Sequence, residues 1–296
     1  MLIAFRAVQA VGGAMTFSIS GAILYAAFPP DERGRAMGFL GSTVAVGSIL
    51  GPALGGLLVD SLGWPFIFFI NVPIGGVLIA ASIPLLRGQE SRRSAPSRMD
   101  WIGAALLAGM LLAFVSTFMM NISGPFYFQG VMGYTPSQVG LVFLVVPAVT
   151  VIASPLSGWL FDKRYWKHYG RLGMAVVALC LLALGLAALR IDFRRMIPLF
   201  AVLGLGSALF QSPNSTEIMN AFPREKAGVA SSITATVRNL GMTVGTSVAT
   251  LLISAQLAGT GYAGAILQAD KPLLARVLGV TIVASGAVAA AASLSL

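Results

Sequence analysis

AAFPPDERGRAMGFLGSTVAVGSILG, residues 26–51, and NAFPREKAGVASSITATVRNLGMTVG, residues 220–245, lie 194 positions apart and align without a gap. Ala27, Phe28, Pro29, Gly34, Ala36, Gly47 and Gly51 fall on Ala221, Phe222, Pro223, Gly228, Ala230, Gly241 and Gly245. Each identity has a physical reading. Pro ends one helix, Gly and Ala open the next, and small residues four apart offer a flat face against which another helix can close. The chain therefore carries two copies of one helical unit.

Outward from these segments, the 296 residues are 57% hydrophobic and 10% charged, with a mean hydropathy of +0.87. A soluble domain carries roughly 25% charged residues. Apolar runs of about 20 residues, enough to cross about 30 Å of hydrocarbon, follow one another along the chain. In hydrocarbon the backbone must satisfy its own hydrogen bonds, in helices or in a closed barrel. Runs this long without period-two alternation exclude the barrel, so the sequence predicts an all-α, polytopic membrane helix bundle. Breaks at charge, Pro and Gly delimit nine spans: 2–28, 36–59, 64–86, 101–131, 138–161, 172–190, 196–220, 228–253 and 276–296. The start, MLIAFRAVQAVGGA, lacks the positive region of a signal peptide and reads as a retained span.

If the first span ends on the inner face, twelve Lys and Arg fall in loops on that face and five in loops opposite, the bias of the positive-inside rule. The remaining two, Arg6 and Arg238, fall within spans. The net charge of +9 reads as this loop bias toward anionic lipid rather than as nucleic-acid binding. The one cysteine, Cys180, lies in an apolar run and offers neither a disulfide framework nor a thiolate metal cluster. Six spans separate the repeat copies, an organisation that secondary transporters use when two six-helix halves rock about a midplane site.

The residues resemble the major facilitator superfamily, and within it the QacA-like multidrug/proton antiporter branch. FRAVQAVGGA, residues 5–14, resembles an Arg-x-x-Gln-Gly motif of the fourth span, with Ala10 where Gly is usual. GSILGPALGG, residues 47–56, is similar to the antiporter motif of the fifth span. WPFIFFINVPIG at 64–75, DWIGAALL at 100–107, FQGVMGYTPSQVGL at 128–141, FQSPNSTEIMNAFP at 210–223 and GVASSITATVRNLG at 228–241 also resemble that branch. The resemblance implies a chain whose first three spans are absent and in which a seventh and a ninth span are fused within 101–131, a run broken near Gly124 and Pro125. It implies three units: 1–86 as the last three spans of a first bundle, 87–100 as a basic inner linker, and 101–296 as a six-helix second bundle.

Candidate sites follow from chemistry that hydrocarbon penalises. Arg238, in the middle of a span, needs a partner or water. It serves either a cavity that binds anionic groups or tunes a carboxyl, or a structural hydrogen bond to Asn239 or backbone carbonyls. Arg6 and Gln9 share a helix face; the resemblance gives Arg6 a part in proton coupling, and the alternative is a side chain that snorkels to the surface. Glu217 is either a protonatable coupling acid or the partner of Arg224 or Lys226 at the inner mouth. Gly47, Gly51, Pro52, Gly55 and Gly56 make a close-packing, kinked segment, associated by the resemblance with exchange; ordinary helix packing is the alternative. Phe126, Tyr127, Gln129, Phe210, Gln211 and Asn214, with Phe128, supply aromatic and amide groups suited either to an adaptable substrate wall or to an interfacial belt. The basic stretch DKRYWKHYGR, 162–171, is expected to meet anionic lipid and to latch neighbouring helices.

No metal-ligand cluster and no P-loop appears in the sequence, and the one histidine, His168, lies in that basic loop. An enzyme is not expected, and neither is a cofactor; the proton gradient is the expected energy source. The reading is a multi-pass transporter of the plasma (inner) membrane, monomeric if complete, exporting amphipathic small molecules in exchange for protons. The alternatives are an inserted but transport-inactive fragment, or a transporter of another small solute.

Overall fold

The computed structural model describes residues 2–86, 101–164, 168–189, 196–223, 226–260, 266 and 270–296. The expected linker 87–100 and Arg224 lie outside the described residues, as do the side chain of Arg6 and the surroundings of Pro52 and Gly56. Among the described residues the secondary structure is helical: α1 (Leu2–Ala27), a 3₁₀ turn (Pro30–Glu32), α2 (Arg33–Leu62), α3 (Phe66–Phe69), α4 (Asn71–Leu86), α5 (Trp101–Gly130), α6 (Pro136–Phe143), α7 (Val145–Lys163), α8 (Tyr169–Leu189), α9 (Met196–Ala221), α10 (Ala227–Gly259) and α11 (Lys271–Ser295). The protein is an all-α membrane bundle.

The repeat is reproduced to the residue. α1 shifted by 194 gives the bounds of α9, and the first residue of α2 shifted by the same amount gives the first residue of α10. Seven helical stretches among the described residues are long and apolar enough to cross a bilayer. α2 and α9, two of the nine expected spans, have the length, 30 and 26 residues, but are diluted. The end of α9 alone carries Gln211, Ser212, Asn214, Ser215, Thr216 and Glu217.

Two expected spans are each built from two helices. α3 gives way to α4 at Ile70, and α6 to α7 at Leu144. Pro73 and Pro147 explain both breaks, because a proline has no N–H for the carbonyl four residues back and its ring crowds that carbonyl. The carbonyls concerned belong to Phe69 and Phe143, the last residues of α3 and α6. The expected break near Gly124 and Pro125 does not occur, and α5 runs on to Gly130. Its final turns are held from outside: Tyr127 is fully buried and its hydroxyl donates to the Ala188 carbonyl at 2.9 Å. α6 starts on a capping box, in which the Thr135 N–H donates to Gln138 Oε1 at 3.0 Å and the Gln138 N–H to Thr135 Oγ1 at 3.4 Å.

The main core lies among α5, α8, α9 and α11. Small residues set its spacing. A β-carbon on Gly185 would stand 2.8 Å from the Val283 backbone nitrogen, and one on Gly286 would stand 2.8 Å from that of Leu182, so α8 and α11 touch backbone to backbone. The repeated glycines behave differently in the two copies. Gly241 and Gly245 of α10 seat α5, with β-carbon positions 2.8 Å from the Leu111 carbonyl and 2.5 Å from the Val115 carbonyl. At their equivalents in α2, Gly47 and Gly51, and at Gly55, a β-carbon would meet nothing within 4 Å among the described residues. In α2 the close contacts come from Gly34, Gly38 and Gly41 instead, against α7.

α1 packs on α10, and α2 packs on α7 and α9. The shift of 194 carries α1 to α9 and α2 to α10, so the α1–α10 and α2–α9 contacts are one contact with the copies exchanged. The two repeat copies thus meet in an exchanged pattern, α1 on α10 and α2 on α9.

Candidate functional site

The end of the bundle bearing Arg33, Arg35 and Lys163, the basic end, is where the two halves are tied. α2 starts there, and its first N–H groups have no partner within the helix. Asp162, in the last turn of α7, supplies one. Its Oδ1 accepts from the Gly34 N–H at 2.8 Å and its Oδ2 from the Arg35 N–H at 2.7 Å. The carboxylate thus caps the helix of the other half, where the dipole favours negative charge.

Three further hydrogen bonds cross the same seam, and a cation–aromatic contact within the first half supports them. The Ser212 hydroxyl of α9 donates to the Gly34 carbonyl at 2.9 Å, and the Ser42 hydroxyl of α2 donates to the Val151 carbonyl of α7 at 2.7 Å. The Tyr25 hydroxyl of α1 donates to Asn220 Oδ1 at 2.9 Å. The buried Arg33 guanidinium lies 3.8 Å from the centre of the Tyr25 ring, a cation held by an aromatic face. Ala22, Tyr25, Met37, Met219, Ala227 and Ala230 form a small apolar core beneath them, drawn from α1, α2, α9 and α10. A charged cleft of about 290 Å³ outside it is lined by Asp31, Glu32, Arg35, Trp159, Asp162 and Lys163.

Glycines permit this closure. A β-carbon on Gly34 would stand 2.5 Å from Asp162 Oδ1, one on Gly158 would strike the Gly34 carbonyl, and one on Gly38 would strike the Ser154 carbonyl and stand 2.8 Å from Pro155 Cα. α2 and α7 meet with nothing between their backbones.

Deeper in, Arg238 of α10 lies across the other seam. Its guanidinium is 3.8 Å from the centre of the Phe17 ring of α1 and 5.9 Å from that of Phe114 of α5. Among the described residues neither of the expected structural partners, Asn239 or a backbone carbonyl, holds it; Asn239 is exposed and its carbonyl accepts from Thr243 Oγ1 at 3.0 Å. One turn nearer the basic end, a β-carbon on Gly21 of α1 would stand 2.9 Å from Ser231 Oγ. An open groove of about 540 Å³ flanks this α1–α10 seam, walled by Val11, Ala14, Met15, Ser18, Ile19, Gly228 and Ser232.

The other expected residues are scattered. Glu217 is half-buried one turn from the end of α9 and makes no ion pair with Lys226. Gln9 is exposed on α1. Tyr127 and Phe210 are buried in the main core, where Phe126 packs against them; Asn214 is buried in α9 with its Oδ1 unpaired. Gln129 and Gln211 are partly exposed. Sequence reasoning missed Tyr25, Phe17 and Ser212, and read Asp162 only as part of a basic loop. One signal was available: Asp162 is the lone acid in 162–171, among five Lys, Arg and His.

The sequence profile of the Major Facilitator Superfamily matches residues 1–246. Among curated proteins, the chain is 28% identical over 303 residues to the riboflavin transporter RibZ of Clostridioides difficile, covering 83% of this chain and 66% of that protein. It is 30% identical over 325 residues to the multidrug resistance protein Stp of Mycobacterium tuberculosis, covering 86% and 59%. It is 26% identical over 318 residues to the multidrug export protein EmrB of Escherichia coli, covering 85% and 62%. The chain thus spans about two thirds or less of the length of these relatives.

Proposed function

This chain belongs to the Major Facilitator Superfamily, and from that premise we propose that it serves a secondary active transporter that exports amphipathic small molecules by alternating access, driven by proton movement. Residues 1–86 and 101–296 are the parts of the two rocking bundles, with the basic end in the cytoplasm. The observation that carries this reading is the exchanged pair of contacts, α1 on α10 and α2 on α9, because halves related by a pseudo-twofold have two equivalent ways to tilt. The helix cap from Asp162 and the backbone contact at Gly34, Gly38 and Gly158 hold the basic end shut in one of those tilts. Opening that end replaces these contacts with water at little net change, which lets a modest bias switch the state.

Proton coupling falls to Glu217, a carboxyl near the mouth with no cationic partner among the described residues. Multidrug relatives such as Stp and EmrB favour an amphipathic cargo over a small polar one, and the apolar groove along α1 and α10 suits it. No cofactor enters this scheme, and the working unit is a monomer in the plasma membrane.

The test is efflux from energised cells producing the chain, followed with a cationic, a neutral and an anionic fluorescent amphiphile. At least one is expected to leave faster than from cells without the protein, and a protonophore is expected to abolish the difference. Unchanged levels of all three, with the protein present in the membrane, would overturn the reading.

A further inference from the structure

Arg238 stands about 16 Å into α10 from Ala227, at 1.5 Å per residue, which is close to the middle of about 30 Å of hydrocarbon. A guanidinium there keeps its charge under all ordinary conditions. The two aromatic faces that hold it, Phe17 and Phe114, satisfy the cation but leave its N–H donors without an acceptor, because ring faces stabilise charge and accept no fork of hydrogen bonds. Among the described residues Arg238 has no carboxylate partner. Arg238 is only partly buried, so the fork is not sealed from its surroundings.

The charges that face it can be counted. Glu217, the acid inside α9, lies near the basic end, and Asp162 is committed to the N-terminus of α2. In the repeat, the equivalent of Arg238 is Val44; the cation belongs to one half only and plays no part in the symmetry that shapes the bundle. The site therefore joins an open guanidinium fork to two flat rings, contributed by α1, α5 and α10, at the seam between the halves.

We propose that Arg238, with Phe17 and Phe114, is the anchor for the anionic group of a planar aromatic cargo. The carboxylate or sulfonate takes the guanidinium fork while the ring system lies against the phenylalanines that held the cation before it arrived. Bidentate pairing with Arg is strongest where water is scarce, and the aromatic contact selects flat molecules over aliphatic acids. This inference deepens the transport reading and rests on it only for the word cargo; the binding itself stands apart.

The experiment is equilibrium binding of radiolabelled 1-naphthoate to the purified full chain in detergent, beside 1-naphthylmethylammonium, which has a similar shape and opposite charge. Wild-type protein is expected to bind naphthoate saturably and more tightly than the ammonium. Arg238→Gln should weaken naphthoate roughly tenfold or more, the loss of a charge-assisted pair, without weakening the ammonium, whose retained binding also shows that the variant is folded. Arg238→Lys should restore part of the affinity as a point charge, and Phe17→Leu should weaken naphthoate several-fold. Equal naphthoate binding by wild type and Arg238→Gln would overturn the inference, as would absence of saturable naphthoate binding or an equal fall for both compounds without rescue by Lys. Naphthoate binding in a chain that moves no amphiphile would keep the anchor and sink the transport reading. Export of a cation undisturbed by Arg238→Gln, with naphthoate binding equally undisturbed, would do the reverse.

Discussion

Gly38→Val is expected to force α2 and α7 apart and to cut export at least about tenfold while leaving the protein in the membrane. A β-carbon at position 38 strikes the backbone of Ser154 and Pro155. Backbone cannot rotate out of the way as a side chain can, so the helices must separate. Overpacking of a close contact costs about 1–3 kcal/mol. That cost falls only on the state in which the basic end is shut, since α2 and α7 part in the other tilt. Each 1.4 kcal/mol shifts the balance about tenfold. The shift is read as the alkylation rate of a single thiol from Ser42→Cys, a position buried in that seam, in a Cys180→Ala background. Faster alkylation in Gly38→Val is the expected result. An unchanged rate with full export would mean that the seam stays closed throughout the cycle.

Asp162→Asn is expected to act in the same direction through chemistry rather than shape. The carboxylate accepts two backbone N–H groups at the start of α2, whereas an amide offers one acceptor oxygen and turns a donor toward the other N–H. Losing a charge-assisted hydrogen bond costs about 1.5–3 kcal/mol, and the favourable charge at the helix N-terminus goes with it. The closed basic end should thus lose roughly tenfold or more of its population. Asp162→Glu, which keeps the charge on a longer arm, should lie between the two. The same Ser42→Cys alkylation assay reads this series, and wild-type rates in Asp162→Asn would show that the cap contributes nothing to closure.

Much of the scaffold was legible in the residues because hydrocarbon leaves the chain few options. The expected spans 2–28 and 196–220 correspond to α1 (Leu2–Ala27) and α9 (Met196–Ala221), since Pro29 and Pro223 close both at the same point. The breaks at Ile70 and Leu144 were also written in the chain, at Pro73 and Pro147, but apolar runs on either side hid them. Pro125 misled in the opposite direction: α5 runs through it to Gly130, and the turn beyond it is tied by a hydrogen bond from Tyr127 to the Ala188 carbonyl, 61 residues away, which no local pattern announces.

The candidate site was harder to see for the same reason. Glycine spacing states that a face can be approached, not which helix approaches it. Gly241 and Gly245 meet α5, whereas Gly47 and Gly51, identical in pattern, meet nothing within 4 Å among the described residues. Arg238 announced itself as a charge in hydrocarbon, yet the partners it found, Phe17 and Phe114, are aromatic residues of a kind common in such a chain. Asp162 looked like one charge in a solvated loop, and only the fold brings it to the open N–H groups of α2.

The claim on which the rest stands is that the two halves meet at the basic end through α2 and α7 and must part there for cargo to move. Arg35 and Lys163 face the same cleft from opposite sides of that seam. With Arg35→Cys and Lys163→Cys combined in a Cys180→Ala background, a short thiosulfonate cross-linker is predicted to bridge the pair in intact membranes, halt export, and release it again on reduction. Export that continues with the bridge in place, or a pair that never bridges, would contradict it.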